Sequence, residues 1–187
     1  MNKQDDPIQR IREIVERSLR DYESALVYYV AGLLKGDHER ARDVVQDAFM
    51  RLCNQDPEDI EENVKAWLYT VARNRAFDVI RKESRMVVSN LVPDGEDVSN
   101  LDPAHMSSQR DQTREILAWV EELPHNQKEV ILLRFQQNMS YREIADVTGL
   151  KTGNVGFLLH TGLKNLREKL EQRRAEDFLT SGDDVRG

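Results

Sequence analysis

The stretch that decides the fold is residues 41–52, which read ARDVVQDAFMRL. Apolar residues recur in it at spacings of three and four, the period of one face of an α-helix. The apolar face consists of Ala41, Val44, Val45, Ala48, Phe49 and Leu52, and the polar face carries Arg42, Asp43, Gln46, Asp47, Met50 and Arg51. Asp37 is a suitable N-cap, and Glu39 stands favourably in the first turn. The stretch therefore predicts an amphipathic helix with one buried face.

Two longer helical patterns flank this stretch. On its N-terminal side, apolar residues from Ile8 to Leu33 keep the helical spacing and predict one long helix or two in line, with Gly36 as a C-terminal stop. On its C-terminal side, residues 54–57 end the helix and another begins near Asn63. We expect this third helix to bury Val64, Trp67, Leu68, Val71, Ala72, Ala76, Val79 and Ile80.

The opposite face of the third helix is strongly basic. It combines Arg73, Asn74, Arg75, Asp78, Arg81, Lys82 and Arg85. Guanidinium and ammonium groups at helical spacing suit a phosphate backbone. Asn74 and Asp78 either pair with exposed bases or make contacts within the helix, such as holding a neighbouring arginine. Trp67, Tyr69 and Phe77 are candidates for stacking on unpaired bases, although Trp67 falls on the apolar face and is better explained as core.

Residues 86–112 have no apolar period, contain two prolines and are rich in acid, so they predict an interdomain linker. Periodicity returns at Ile116, and Pro124 marks a helix start. Ser140 and Glu143 have the spacing of a capping box, so a short helix is expected there. Gly149 supplies the next turn, and we expect Thr152 to cap a last helix. Its inner face would consist of Val155, Leu159, Leu163, Leu166 and Leu170.

This second group of helices has the spacing of a helix-turn-helix, whose second helix can enter the major groove. Polar residues at the start of that helix suit base edges and phosphates: Lys151, Thr152, Asn154, His160 and Lys164. A plain helical hairpin is the alternative. The sequence thus predicts an all-α protein of two small domains, at 1–85 and 113–174, joined by the acidic linker 86–112. The acidic tail 175–187 is expected to be disordered, or else to be an arm that covers a basic face.

Composition excludes several classes of protein. No apolar run approaches the ~20 residues of a membrane span, and the N-terminus is polar, so a cytoplasmic protein without membrane insertion is expected. The single cysteine, Cys53, is expected in the core. The four histidines, His38, His105, His125 and His160, stand apart from one another. With no triad or phosphate-binding glycine loop either, we expect no enzyme, metal or cofactor.

The formal net charge of −7 argues against nucleic acid as a partner, but the charges are segregated. Basic residues gather in 65–85 and 164–174, whereas acidic residues gather in 58–62, 94–102 and 176–184. Phosphate binding depends on the local density of lysine and arginine, so this distribution matters more than the sum.

Residues 41–52, followed by 67–81 (WLYTVARNRAFDVIR), closely resemble region two of extracytoplasmic-function sigma factors of the sigma-70 type. Residues 123–134 (LPHNQKEVILLR), with 140–145 (SYREIA) and 153–155 (GNV), are similar to region four. The two motifs stand in the right order and are separated by a linker of suitable length. The resemblance implies a factor that directs RNA polymerase core to promoters, while catalysis belongs to the polymerase.

The resemblance also implies partners for each polar face. Asp43, Gln46, Asp47, Met50 and Arg51 would bind the clamp helices of the largest polymerase subunit. Asn74, Arg75, Asp78, Arg81, Lys82 and Arg85 would bind the melted minus-ten element, with a loop after Lys82 setting base preference. Arg142, Lys151, Thr152, Asn154, His160 and Lys164 would bind the duplex minus-thirty-five element, and the second domain would meet the flap of the second-largest subunit. An anti-sigma factor is a further implied partner.

The sequence departs from the family pattern in the last helix. Gly156, Leu158 and Thr161 stand where basic residues are usual, so the resemblance implies fewer phosphate contacts and weak or unusual minus-thirty-five binding. Phe157 and Leu158 are instead candidates for a protein contact. Two other interpretations stay open: a free-standing helix-turn-helix regulator that binds palindromic DNA, and a helical adaptor that binds only proteins.

Overall fold

The structure is a computed structural model that describes residues 6–89 and 108–181, with side chains described at 6–85 and 115–175. The described residues form helices joined by short turns, with no strand among them. The helices are α1 (Pro7–Leu33), α2 (His38–Leu52), α3 (Pro57–Ile60), α4 (Val64–Ser89), α5 (Ser108–Glu121), α6 (His125–Ile131), α7 (Tyr141–Thr148) and α8 (Thr152–Ser181). A π-helical segment, Leu132–Gln136, extends α6. The predicted all-α fold is confirmed.

The chain divides into two compact units. Helices α1 to α4 belong to the first, while α5, α6, α8 and most of α7 belong to the second. Helix α4 runs on to Ser89 and α5 begins at Ser108, so both extend into the stretch predicted as linker, and no loop starts directly after Lys82. Residues 90–107, with His105, lie outside the described residues.

The first unit is built on the packing of α1, α2 and α4 against one another. All six apolar residues predicted for the inner face of α2 are buried. Asp37 caps this helix, because its carboxylate accepts a hydrogen bond of 3.0 Å from the backbone N–H of Arg40. The chain turns from α1 into α2 through Lys35 and Gly36, which both have positive φ. The amphipathic pattern of residues 41–52 therefore predicted the core of this unit correctly.

Several details of the first unit differ from the prediction. Tyr69 is fully buried, so it cannot stack on a base, and Ala66 is buried as well. Of the eight residues expected in the core of α4, Val64, Leu68, Ala72 and Ala76 are buried, and Trp67, Val71, Val79 and Ile80 are half-buried. Cys53 is exposed rather than in the core. The short helix α3, capped by the Asp56 carboxylate, was not predicted.

The second unit holds α8 against α6 at very close range. A methyl group added at Gly162 would lie 2.7 Å from Cδ1 of Ile131, so only glycine fits there without displacement. The side-chain amide of Asn165 donates a 3.2 Å hydrogen bond to Gln127 Oε1 on α6. Farther along α8, Lys169 pairs with Glu122, and Arg173 Nε lies 2.8 Å from Glu115 Oε1. These contacts hold one side of α8 against the rest of the second unit.

The predicted helix-turn-helix is present in this unit. Both hydrogen bonds of the capping box form: Glu143 N–H donates to Ser140 Oγ at 3.2 Å, and Ser140 N–H donates to Glu143 Oε2 at 2.7 Å. Gly149 ends α7 in the left-handed conformation, with φ +73°. Thr152 is the first residue of α8. Sequence periodicity and the capping box therefore predicted this motif, but the expectation that Thr152 caps α8 is wrong, because the backbone carbonyl of Lys151 accepts the first hydrogen bonds of the helix.

Two expectations for α8 are wrong. Leu163 is 41% exposed, because the adjacent Gly162 occupies the position of contact with α6. The helix also continues to Ser181, so the tail is helical over the part that the structure describes, and residues 182–187 lie outside it.

Membrane-spanning helices and clusters of metal-ligating side chains are both absent from the described ranges 6–89 and 108–181. No helix there is long and apolar enough to cross a bilayer. Likewise, the described residues contain no group of three or more His, Cys, Asp or Glu side chains that could hold a metal ion.

Replacing Gly162 should destabilise the second unit. In Gly162→Ala, overpacking against Ile131 costs about 1–3 kcal/mol, while the better helix propensity of alanine offsets about 0.5–1 kcal/mol. We expect a net loss of about 1 kcal/mol, measured by hydrogen exchange of the α6 and α8 amides. Gly153→Ala is the matched control, since no atom lies within 4 Å of the added methyl group. Equal protection in both variants would contradict the close packing.

Tyr69 should make the first unit sensitive to high pH. Burial, and secondarily the nearby Tyr22, raises the pKa of its phenol above the usual value of 10.0. The unfolded chain therefore ionises first, so the stability contribution is complete below about pH 10 and is lost as the pH rises further. We expect the free energy of unfolding to fall less steeply above pH 10 in Tyr69→Phe than in the wild type. The control Tyr28→Phe, at an exposed position, should keep the wild-type slope.

Candidate protein and nucleic-acid interfaces

The polar face of α4 is a continuous basic surface. Arg73 is half-buried, and the other six residues predicted for this face are exposed: Asn74, Arg75, Asp78, Arg81, Lys82 and Arg85. They lie together because the other sides of α4 pack against α1 and α2. Asp78 pairs with Arg81 one turn later, so the carboxylate holds a neighbouring arginine, which was one of the two roles expected for it. The net positive charge of the face is retained and suits a phosphate backbone.

The aromatic side chains of α4 are less available than the basic ones. Phe77 is half-buried, and the guanidinium carbon of Arg73 lies 4.7 Å from the centre of its ring, within cation–π distance. Trp67 is also half-buried, and Tyr69 is fully buried. Base stacking on this helix is therefore restricted to the uncovered edges of Trp67 and Phe77.

The polar face of α2 mixes charge with one exposed apolar side chain. Asp43, Gln46, Met50 and Arg51 are exposed, and Asp47 is half-exposed. Met50 stands out, because 62% of its surface is accessible although its neighbours on the apolar face are buried. A flexible thioether surrounded by polar residues is typical of a protein-binding surface.

The two polar faces of the first unit meet at the carboxylate of Asp47. Its Oδ2 atom lies 3.2 Å from Nη2 of Arg51 on the same helix and 3.3 Å from Nε of Arg75 on α4. That oxygen is shielded from solvent, yet within the described part of the chain it accepts no aligned hydrogen bond. The sequence assigned Asp47 and Arg75 to different partners, and no local pattern showed that they would touch.

A second ion pair, between Arg40 and Glu83, also joins α2 to α4. Residue numbers rise along α2 from Arg40 to Asp47 while they fall along α4 from Glu83 to Arg75. The two helices therefore run antiparallel over this contact. This arrangement brings the C-terminal half of α2, with Met50 and Arg51, to the same end of the pair as Asn74 and Arg75.

The second unit presents the predicted DNA-binding residues on α7, on α8 and in the turn between them. Arg142, Lys151, Thr152, Asn154, His160 and Lys164 are all exposed. Val155 and Leu159 are buried on the opposite side of α8 and anchor it. Phe157 lies among the polar residues and is 68% exposed. The helix therefore offers a surface of few charges with one large aromatic ring.

A shallow groove between α1 and α2 was not predicted. Apolar side chains line it at Leu19, Val27, Val45 and Phe49, and Glu23, Arg42 and Gln46 stand at its polar rim. Residues from two helices are needed to form it, so the period of a single helix could not show it.

Comparison with known families matches both units. The family described as Sigma-70 region 2 matches residues 19–86, a range that contains every predicted residue on α2 and α4. The family described as Sigma-70, region 4 matches residues 113–166, which contain the helix-turn-helix.

Curated relatives agree with these matches. The chain is 32% identical over 161 residues to the ECF RNA polymerase sigma factor SigL of Mycobacterium tuberculosis, covering 83% of this chain and 89% of SigL. It is 29% identical over 161 residues to the ECF RNA polymerase sigma factor SigX of Bacillus subtilis, covering 83% of this chain and 82% of SigX.

Two solved structures share the fold. One is the sigma factor RpoE in complex with the anti-sigma factor NepR from Bartonella quintana, with a TM-score of 0.62, 24% identity, and coverage of 83% of this chain and 96% of the other. The second is CnrH in complex with the cytosolic domain of CnrY, with a TM-score of 0.57, 20% identity, and coverage of 88% and 94%.

The Asp47–Arg75 contact should be measurable as a weak coupling. Both side chains are partly exposed, so a double-mutant cycle of Asp47→Ala and Arg75→Ala should give about 0.5 kcal/mol in urea unfolding at low salt. The coupling should fall towards zero at about 1 M salt, where the Debye length is only about 3 Å. Asp43→Ala with Arg75→Ala is the control cycle, and an equal coupling there would show that the Asp47 contact is absent in solution.

Proposed function

This chain belongs to the extracytoplasmic-function group of sigma-70 RNA polymerase sigma factors, and we propose which of its surfaces bind polymerase core and promoter DNA. The family is not catalytic, so the chemistry of transcription belongs to the polymerase. We expect the protein to act in the cytoplasm, where that enzyme transcribes. The observation that carries the proposal is the exposure of every predicted contact residue except the half-exposed Asp47, grouped by helix into separate faces.

The polar face of α2 is proposed to bind the clamp helices of the largest polymerase subunit. Met50 supplies apolar area at its centre, and Asp43, Gln46, Asp47 and Arg51 supply charge and hydrogen bonds around it. An apolar anchor within a polar rim is the usual anatomy of a protein interface. A matching contact by the second unit on the flap of the second-largest subunit is proposed from the family alone.

The basic face of α4 is proposed to bind the melted minus-ten element. Arg75, Arg81, Lys82 and Arg85 would neutralise phosphates, which orients a strand without reading its sequence. Asn74 is the uncharged member of this face and can donate to and accept from a base edge. We therefore assign base readout to Asn74 and strand positioning to the basic residues.

The helix-turn-helix is proposed to bind the duplex minus-thirty-five element through Arg142, Lys151, Thr152, Asn154, His160 and Lys164. This set of residues contains few cations. One of them, Lys164, lies 3.8 Å from the carboxylate of Glu168, which competes with a phosphate for the ammonium group. This supports a weaker electrostatic contribution from the second unit than from α4. An anti-sigma factor is a further proposed partner. One of the two solved structures of this fold contains the anti-sigma factor NepR, and the other contains the cytosolic domain of CnrY.

Transcription by purified core polymerase tests these assignments. On promoters selected from a random library, we expect defined initiation only when the protein is present. Asn74→Ala should leave core binding unchanged and reduce initiation about tenfold, equivalent to about 1.4 kcal/mol. Arg81→Ala should weaken initiation most at low salt and make its decline with rising salt less steep, because one phosphate contact is lost. Its matched control is Arg12→Ala, which also removes an exposed arginine paired within its helix, to Glu16.

Core binding is measured separately by fluorescence anisotropy of the labelled protein. Met50→Ala should weaken it about five- to tenfold, as loss of a central apolar contact does. Ile8→Ala is the control, since Ile8 is an exposed apolar residue of α1 outside the proposed faces. If the protein binds duplex DNA at palindromes without core, a free-standing regulator replaces this proposal. If it binds neither core nor DNA, the interpretation as a helical adaptor that binds only other proteins replaces this proposal.

A further inference from the structure

Phe157 is an exposed aromatic residue in an otherwise polar surface. Its 68% exposure is the highest of any large hydrophobic side chain described in the second unit. A single exposed apolar side chain needs no explanation by itself, but a ring that lies on a proposed binding face becomes covered when that face binds its partner. The polar contacts proposed between α8 and the minus-thirty-five element do not involve the Phe157 ring.

The position of Phe157 places it inside the proposed DNA-binding surface. Asn154 precedes it by one helical turn, and His160 and Lys164 follow it by one and two turns, so the four share one face. All four are exposed. Contact of this face with a major groove through the three polar residues necessarily covers the ring between them.

The helix cannot easily rotate to remove the ring from this face. Val155 and Leu159 are buried on the other side, and Gly162 is locked against Ile131. Next to Phe157, Gly156 faces the Tyr141 ring of α7, whose Cε2 lies 3.5 Å from the position of an added methyl group. The direction of Phe157 is therefore set by packing that does not involve it.

The surroundings of Phe157 favour DNA over a protein as its partner. An apolar protein-docking patch normally extends over several adjacent apolar side chains. Here the exposed neighbours on the same face are Asn154, His160 and Lys164, which suit base edges and phosphates. The Thr161 hydroxyl donates a hydrogen bond of 2.9 Å to the Phe157 carbonyl oxygen, so its proton is used within the helix.

In the major groove, the apolar feature that a phenyl ring can recognise is the C5-methyl group of thymine. We propose that Phe157 is a specificity residue that selects a thymine in the duplex element read by α8. This inference rests on the proposed function of the second unit and deepens it. Readout by an apolar contact fits a helix face with few cations, because it supplies sequence preference without phosphate neutralisation.

The test removes one methyl group at a time from the promoter. Each thymine of the minus-thirty-five element is replaced by deoxyuridine, and initiation by core polymerase with the full chain is measured on each duplex. We expect one position, or two neighbouring ones, where the replacement reduces initiation about fourfold, the value of burying one methyl group. In Phe157→Ala the thymine and deoxyuridine promoters should be equally active.

Phe135→Ala is the matched control, because Phe135 is also an exposed aromatic residue of the second unit, at 62%, but lies on the π-helical segment. That variant should keep the fourfold dependence on the methyl group. The inference is overturned if Phe157→Ala keeps it, if no thymine position shows it, or if selected promoters lack thymine under α8.

Failure of the inference can be told from failure of the proposed function. If initiation still requires the minus-thirty-five element but ignores every methyl group, the second unit binds DNA and Phe157 does not read it. If Phe157→Ala then weakens binding to core in the absence of DNA, the ring meets polymerase instead. If no initiation occurs on the unmodified promoters, the proposed function itself is wrong.

Discussion

The packing of α2 against α4 determines where both polar faces of the first unit lie. The apolar face of α2 is buried in the core, so its charged face and Met50 must point away from the core. The same contact turns the basic face of α4 outwards. Asp47 lies at the junction, within salt-bridge distance of Arg51 and Arg75. A partly exposed pair of this kind is weak, so Arg75 can exchange a carboxylate for a phosphate at little cost.

The second unit holds the long helix α8 along one side and leaves its opposite side exposed. The capping box and Gly149 determine the start and end of α7, and Gly162 allows α8 to approach α6 closely. Ion pairs of Arg173 with Glu115 on α5 and of Lys169 with Glu122, just after α5, continue that support. Lys169 and Arg173 are thus paired within the fold and are less available to the proposed DNA partner.

Sequence reasoning succeeded where a local period or cap determined the outcome. The six buried residues of α2, the Asp37 cap, the capping box and the turn at Gly149 are all of this kind. It failed where a third element intervened. Tyr69 is buried because α4 packs against both α1 and α2, which covers a wider arc than one apolar face. The Asp47–Arg75 contact and the exposure of Leu163 likewise depend on how helices meet, which no single helix encodes.

The four helices of the first unit occupy one continuous stretch of chain, from Pro7 to Ser89, and their main packing contacts all lie within that stretch. Contacts between nearby segments form quickly, since little loop entropy is lost in making them. During synthesis on the ribosome this stretch emerges first, and domains generally fold as units in that order. The α2 face proposed to bind polymerase is therefore complete while the helix-turn-helix is still being translated, so a nascent chain can acquire it before the surface proposed to read duplex DNA.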